Sequence, residues 1–340
     1  KLLNILYYRC IGSPHRPTGG TAVGPNIVAA LSKTAENEKI DIRKGTKAIA
    51  LVKTKNRIVG VKVREIDGKE YTIKAKAVIV ATGGFGANAK MVEKYNPKLK
   101  GFGSTNSPAI VGDGIIMVEK VGGALVDMSE IQTHPTVVYN KTNMITEAVR
   151  GEGAILVNRD GKRFIDELET RDVVSKAILS QKGKSAFLIF DEDIRTKLKA
   201  ADGYVKKGFA VEGTLEEIAA KIGTDAKTLE ATLNKYNEAV RDKVDSEFNK
   251  KTLPKELTGT KYYAIEVSPA VHHTMGGVRI NTNAEVLSKN GRPIKGLYAA
   301  GEVTGGIHGA NRIGGNAVAD ITIFGKIAGE NAATYSKSVK

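Results

Sequence analysis

The sequence predicts an α/β protein in which one domain is interrupted by a second. Two short apolar runs, Lys76-Ala77-Val78-Ile79-Val80-Ala81 and Gly296-Leu297-Tyr298-Ala299-Ala300, are each followed by a glycine-containing turn. They read as buried strands whose carboxyl ends face a ligand crevice, as in open α/β sheets. A glycine-dense block at 301–317 then leads into a helix at 318–333. Between the two runs lies a mixed insert with helical spacing, so the chain leaves the first domain and later returns to it.

Each element has a local cause. Asp67-Gly68 lies between the alternating residues Ile58, Val59, Val61, Val63 and Tyr71, Ile73. Asp160-Gly161 separates Ala154-Ile155-Leu156-Val157 from Arg163-Phe164-Ile165, and Asn290-Gly291 follows Val286-Leu287. An Asx-Gly pair takes the positive φ angles of a tight two-residue turn, so three hairpins are expected. Thr214 and Glu217 have the spacing of a capping box and open a helix over 214–222. Leu229, Leu233, Tyr236 and Val240 recur at helical spacing within 225–241.

The chain has 340 residues, 41% of them hydrophobic, which is enough for two domains and a sizeable core. Its 37 glycines and 9 prolines are scattered, which excludes collagen-like and disordered classes. Apolar runs such as 75–81 are too short for a membrane span. Residues 1–10 lack the long apolar centre and small-residue cleavage site of a signal peptide. The single cysteine, Cys10, forbids an intrachain disulfide and argues against a cysteine-built metal centre; no Cys-x-x-Cys-His haem site exists. Net charge is +15, and residues 1–100 hold 20 basic against 7 acidic side chains. Such a surface draws anions, an acidic cell envelope or small polyanionic substrates among them, and it equally fits a solvated basic face. The lysines alternate along strands without interleaved aromatics, which argues against nucleic acid.

Two segments expose backbone to a ligand. Ala81-Thr82-Gly83-Gly84-Phe85-Gly86 follows the first buried strand, where glycines allow close approach and free N–H groups hold anionic oxygens. The second runs from Gly301 through Glu302, His308-Gly309-Ala310-Asn311-Arg312 and Gly314-Gly315-Asn316-Ala317 to a helix amino terminus, whose dipole stabilises an anion. Glu302, at a strand end, is placed to hydrogen-bond a ribose or ribityl hydroxyl. Elsewhere local context is ambiguous. Glu147 and Arg150 have the spacing of a simple helix pair, Arg171 in Thr-Arg-Asp that of a surface salt bridge. His134 before Pro135 reads as a loop histidine, and Met144 as core. His272 and His273 on a strand point opposite ways, and no third ligand lies nearby, so no metal site is expected. Neither a Gly-x-Ser-x-Gly elbow nor a Walker A sequence is present.

Ala81-Thr82-Gly83-Gly84-Phe85, Gly112-Asp113-Gly114, His272-His273-Thr274-Met275-Gly276-Gly277 and the 301–317 block together resemble the soluble, fumarate-reductase-type flavoproteins, FAD subunits related to flavocytochrome c and succinate dehydrogenase. The resemblance runs from His15-Arg16-Pro17-Thr18-Gly19-Gly20 to the carboxyl terminus, with several independent motifs in family order. The family's opening strand and Gly-x-Gly-x-x-Gly turn have no counterpart here, and its pattern places a further stretch upstream of His15.

The resemblance implies an FAD-binding Rossmann-like domain at 1–128 and 274–340, interrupted by an α+β capping, or clamp, domain at 129–273. Substrate is expected between them, with closure excluding water. FAD is the implied cofactor, contacted by Thr18, Gly19, Gly20, Ala48, Thr82, Gly83, Gly84, Asp113, His272, Glu302, Asn316, Ala317 and Val318. Gln132-Thr133-His134-Pro135-Thr136, residues 144–151 and Glu169-Thr170-Arg171-Asp172 resemble the family's active-site segments. By that resemblance, His134 and Thr146 bind one carboxylate of fumarate, and His273 and Arg312 the other. Met144 packs on the double bond. Arg171 donates the proton, Glu147 and Arg150 relay protons from solvent, and Gln132 sits beside the relay.

The implied reaction is FAD-dependent reduction of fumarate to succinate, with electrons from a separate haem or flavin donor and no catalytic metal. Two alternatives stand beside it. One is reduction of another α,β-unsaturated acid of the urocanate, acrylate or cinnamate type; the other is a truncated, non-catalytic flavoprotein fragment. A periplasmic or other extracytoplasmic location is favoured over the cytoplasm.

Overall fold

The computed structural model describes residues 23–55 and 57–339. Its strands are β1 (Thr46–Lys53), β2 (Ile58–Glu65), β3 (Glu70–Lys74), β4 (Val78–Val80), β5 (Leu125–Val126), β6 (Ile131–Val138) and β7 (Ile155–Val157). After them come β8 (Ala186–Asp191), β9 (Val211–Gly213), β10 (Tyr262–Thr274), β11 (Gly277–Arg279), β12 (Glu285–Leu287), β13 (Pro293–Ala299) and β14 (Thr304–Gly305). Among the described residues two compact units result: 23–55, 57–85, 112–129 and 275–339 form one, and 86–111 and 130–274 the other.

In the first unit β1, β2 and β3 form an antiparallel meander, β4 pairs in parallel with β13, and β14, β11 and β5 make a third small sheet. The helix Asn316–Ser338 lays Ala328 and Ala332 against Tyr298 and Ala300. Two glycines permit close packing here. A Cβ on Gly114, in the helix Asp113–Lys120, would fall 2.0 Å from Thr82 Oγ1 and 2.8 Å from Val80 Cγ1. A Cβ on Gly277 would fall 2.3 Å from the Val303 carbonyl. The run at 76–81, expected to be a buried strand, shortens to β4, and Ile79 is 42% exposed. β4 lies at the end of the order β12-β13-β4, so it is paired along one edge only among the described residues.

The second unit is α+β. Its antiparallel sheet runs β6-β10-β8-β7, with β9 also paired to β10. The helices Leu215–Ile222 and Ala226–Asp242 pack Ile218, Leu229, Leu233 and Tyr236 into its core with Tyr263, Phe190 and Leu188. The capping box of Thr214 and Glu217 is present. Residues 86–111, expected with the rest of 1–128 in the first domain, pack with the second unit. The Val271 amide donates to Gly103 O and the Thr105 amide to Val271 O, each at 2.9 Å, which fastens this stretch to β10.

All three Asx-Gly turns form, but not in the expected conformation. Gly68, Gly161 and Gly291 take φ of 90°, 76° and 75°, while Asp67, Asp160 and Asn290 stay at negative φ. Each glycine amide instead closes back on the residue three before it, at 2.8–3.0 Å. The result is a turn followed by a left-handed glycine, a hairpin connection one step longer than a two-residue loop. After Asp160-Gly161 the returning strand is a single bridge, Val157 to Arg163.

The Gly114 packing yields a stability test. Gly114→Ala should cost about 1–3 kcal/mol through overpacking on Thr82 and Val80. Gly325→Ala, in the open interior of the last helix with nothing within 4 Å, should raise stability by about 0.5–1 kcal/mol. Thermal unfolding of both variants beside the parent checks the pair.

Candidate active site

The second unit gathers Gln132, His134, Met144, Thr146, Glu147, Arg150, Arg171, His272 and His273 on its own elements. β6, buried at every residue, carries Gln132 and His134; β10 carries both later histidines, with His273 opposite Gln132 in register. After β6 the chain turns back, pairing Met144 with Val137, and the Ile145 amide donates to Thr136 O at 2.8 Å. Thr146 then caps the short helix Glu147–Gly151. Arg171 opens the helix Arg171–Leu179, which is fastened to β6 by the Thr133 hydroxyl on Ser175 Oγ at 2.8 Å.

These placements produce a continuous string of polar groups. Arg171 Nε donates to Glu147 Oε1 at 2.7 Å, and Arg171 Nη1 donates to Gln132 Oε1 at 2.8 Å. Arg150 approaches the same Glu147 oxygen at 3.8 Å. The spacing of Glu147 and Arg150 suggests a simple helix pair, yet the shorter partner of Glu147 is Arg171, 24 residues away. Two of the three Arg171 nitrogens are therefore fixed, and Nη2 carries no hydrogen bond among the described residues. Glu147 keeps 42% of its side chain in solvent, whereas Arg150 is buried.

His134 is 1% exposed. Its Nδ1 accepts the Thr136 amide at 3.3 Å, so the neutral ring carries its hydrogen on Nε2. Thr136 can spare that amide because its hydroxyl bonds the Ile145 carbonyl at 2.9 Å. Burial, then the nearby charges of Arg171 and Arg150, hold the His134 pKa well below the ordinary range. The result is a neutral donor, Nε2–H, buried without a hydrogen-bond partner among the described residues. A buried donor in that condition is costly unless an acceptor meets it. The His272 ring stands edge-on to His134, centroids 5.3 Å apart, and its Nδ1 bonds Thr105 Oγ1 at 2.7 Å.

Beneath the string lies a charge cluster that sequence reasoning missed. Glu167 is fully buried and accepts from Arg163 at 2.9 and 3.0 Å and from Lys250 at 2.8 Å. Arg163 also bonds Asp245 at 2.9 Å, so two cations face two carboxylates. Arg163 and Lys250 both lie over the Tyr236 ring, at 5.2 and 5.3 Å. The Glu167 carbonyl accepts Arg150 Nη1 at 2.5 Å, which ties the cluster to the string above. The separation of Arg163 and Glu167 by four residues was the signal available; nothing local pointed to Lys250 or Asp245.

The remaining expected residues that the structure describes belong to the first unit. Ala48 lies on β1, and Thr82, Gly83 and Gly84 follow β4. Asp113 begins its helix and pairs with Lys47 at 2.8 Å. Glu302 is half-buried, and Arg312 is buried with Nη1 donating to Ile313 O at 3.2 Å. Asn316, Ala317 and Val318 form the first turn of the 23-residue last helix. Its N-cap, Gly315, takes φ of 89° and offers no side-chain cap. The positive end of that dipole is thus presented by backbone alone, an arrangement that suits an anionic cofactor. Thr18, Gly19 and Gly20 lie outside the described residues.

The FAD binding domain family matches residues 9–318, and the chain belongs to that family. FAD is the cofactor these glycine-rich turns and the uncapped helix fit. Over 329 residues the chain is 50% identical to the fumarate reductase (cytochrome) of Shewanella frigidimarina, covering 96% of this chain and 58% of that protein. It is 46% identical over 329 residues to the NADH:fumarate oxidoreductase of Klebsiella pneumoniae (strain 342), covering 96% of this chain and 36% of that one. Among solved structures, the open conformation of a flavocytochrome c3 fumarate reductase matches with a TM-score of 0.80 at 44% identity, covering 94% of this chain and 57% of that one. The chain therefore spans about half the length, or less, of these relatives.

Two measurements follow from the burial. Unfolded His134 gains a proton near pH 6.5, whereas the folded ring stays neutral; stability is intact above about pH 6.5 and declines as pH falls towards the folded value. His134→Gln should flatten the fall in melting temperature between about pH 6.5 and 5, and an unchanged slope would place the proton uptake elsewhere. Lys250→Met strips Glu167 of a buried partner and should cost about 3 kcal/mol or more. Lys235→Met, at the exposed Lys235–Glu247 pair, should cost less than about 1 kcal/mol. Urea melts separate the two.

Proposed function

We propose that the protein reduces fumarate to succinate, with FAD as the hydride carrier. The observation that carries this reading is the neutral, buried Nε2–H of His134, which has no acceptor among the described residues and lies within the fields of Arg171 and Arg150. A carboxylate satisfies that donor and is stabilised by the flanking cations. Similarity to relatives named for fumarate reduction supports the choice of acid.

Reduced FAD, when bound, supplies hydride to one carbon of the double bond. His134 Nε2–H and the Thr146 hydroxyl hold one carboxylate, where negative charge builds as hydride arrives. His273 serves the other carboxylate, and Met144 packs against the double bond. The second carbon takes a proton from Arg171, whose Nη2 is the nitrogen not engaged by Glu147 or Gln132. An arginine normally stays protonated, so it serves as an acid only if donation is concerted with hydride arrival and the proton is replaced at once. Glu147, hydrogen-bonded to Arg171 and open to solvent, replaces it, with Arg150 beside it in the relay. Hydride and proton together convert the dianion to succinate without change of net charge. Electrons enter through a separate haem or flavin donor.

The test is oxidation of reduced methyl viologen by fumarate in the FAD-loaded full-length protein. Arg171→Ala should lower kcat at least about 100-fold, the scale of a lost general acid, with flavin content unchanged. Retention of more than a few per cent of turnover would remove Arg171 from that role. Faster turnover with urocanate or acrylate than with fumarate would reassign the substrate.

A further inference from the structure

A phenol from another helix takes the backbone amide of Thr146, in the segment from which several of the proposed functional side chains issue. Tyr204, on the helix Lys199–Lys206, accepts the Thr146 amide on its hydroxyl oxygen at 3.1 Å. Thr146 stands where the chain passes from its bridge with β6 into the helix Glu147–Gly151. A helix of five residues is too short to set its own direction, so tertiary contacts at its ends must do so. At one end Arg150 is tied to the Glu167 carbonyl. At the other, Thr136 holds Ile145 by its amide and its carbonyl, and Tyr204 holds the Thr146 amide.

The geometry also leaves the Thr146 side chain free for a ligand. Its Oγ1 accepts the Ala148 amide at 3.5 Å, so the hydroxyl hydrogen remains available to donate. With the amide of the same residue engaged by Tyr204, the backbone that carries that hydroxyl is restrained by a group outside the segment. Tyr204 packs against the core of the second unit, which makes it a firm anchor.

We propose that Tyr204 is a positioning residue for substrate affinity: it aims the Thr146 hydroxyl at the substrate carboxylate and takes no part in proton transfer. This rests on the reading of Thr146 as a carboxylate ligand. Phenylalanine keeps the ring and its packing and removes only the hydroxyl.

Tyr204→Phe is compared with the parent in the FAD-loaded full-length protein, by viologen-coupled kinetics with fumarate and by calorimetric titration with succinate. The KM for fumarate and the Kd for succinate should each rise about five- to tenfold, the scale of one lost hydrogen bond. The kcat should change less than about threefold and its pH profile should not move, because the groups of the proton relay are intact. Thr146→Ala provides the cycle. If Tyr204 acts through Thr146, the double variant binds succinate no more weakly than Thr146→Ala alone, whereas additive losses overturn the proposal. So do unchanged KM and Kd in a Tyr204→Phe protein that melts like the parent. A parent that binds succinate but does not reduce fumarate would sink the activity reading, and the succinate cycle would still decide the role of Tyr204.

Discussion

Glu167 is fully buried, and its carboxylate is answered by Arg163, Lys250 and the Leu156 amide. Removing an ion from water costs several kcal/mol, and only near-complete hydrogen bonding recovers it. Here Lys250 and Arg163 hold the charge form of Glu167 against the cost of burial, keeping its pKa below the ordinary value. The arrangement tolerates little displacement, since each member answers another. Because the backbone carbonyl of the same residue receives Arg150, the rigidity of the cluster is passed upward to Glu147 and Arg171. A salt-bridged core thus fixes the geometry of a polar string that would otherwise be held by long, flexible side chains.

That string shapes the electrostatics around His134. Two guanidinium groups against the one carboxylate of Glu147 leave excess positive charge, and a third cation there would be repelled. His134 is neutral for this reason as well as through burial. Division of labour follows: the arginines supply field, and the imidazole supplies direction through a single N–H. Local geometry of this kind discriminates between anions of different shape more sharply than net charge does.

Much of the fold was legible because its causes are local. The capping box at Thr214 and the spacing of Leu229, Leu233 and Tyr236 report on single turns of helix, and both helices are present. The Asx-Gly pairs located three reversals but not their geometry. Side chains such as Asp67, which accepts the Lys69 amide at 2.9 Å, stabilise a turn that leaves only glycine at positive φ. The candidate site was legible only through its likeness to a family. Gln132, Glu147 and Arg171 come from a strand and two different helices, and no periodicity links residues so far apart. Tyr204, Thr105 and Lys250 left no trace in the sequence, since an isolated tyrosine, threonine or lysine has no pattern until the fold supplies its partner.

Thr136 shows how little of such a design needs to be visible in composition. Its hydroxyl takes the Ile145 carbonyl, and its amide is thereby released to His134. Valine has nearly the same shape and is at least as welcome in a strand. Yet a valine there would return the amide to the sheet and leave the imidazole to choose which nitrogen keeps its hydrogen. Fold and recognition are thus encoded in different atoms of one residue: a change that the strand accepts can still erase the direction of a hydrogen bond.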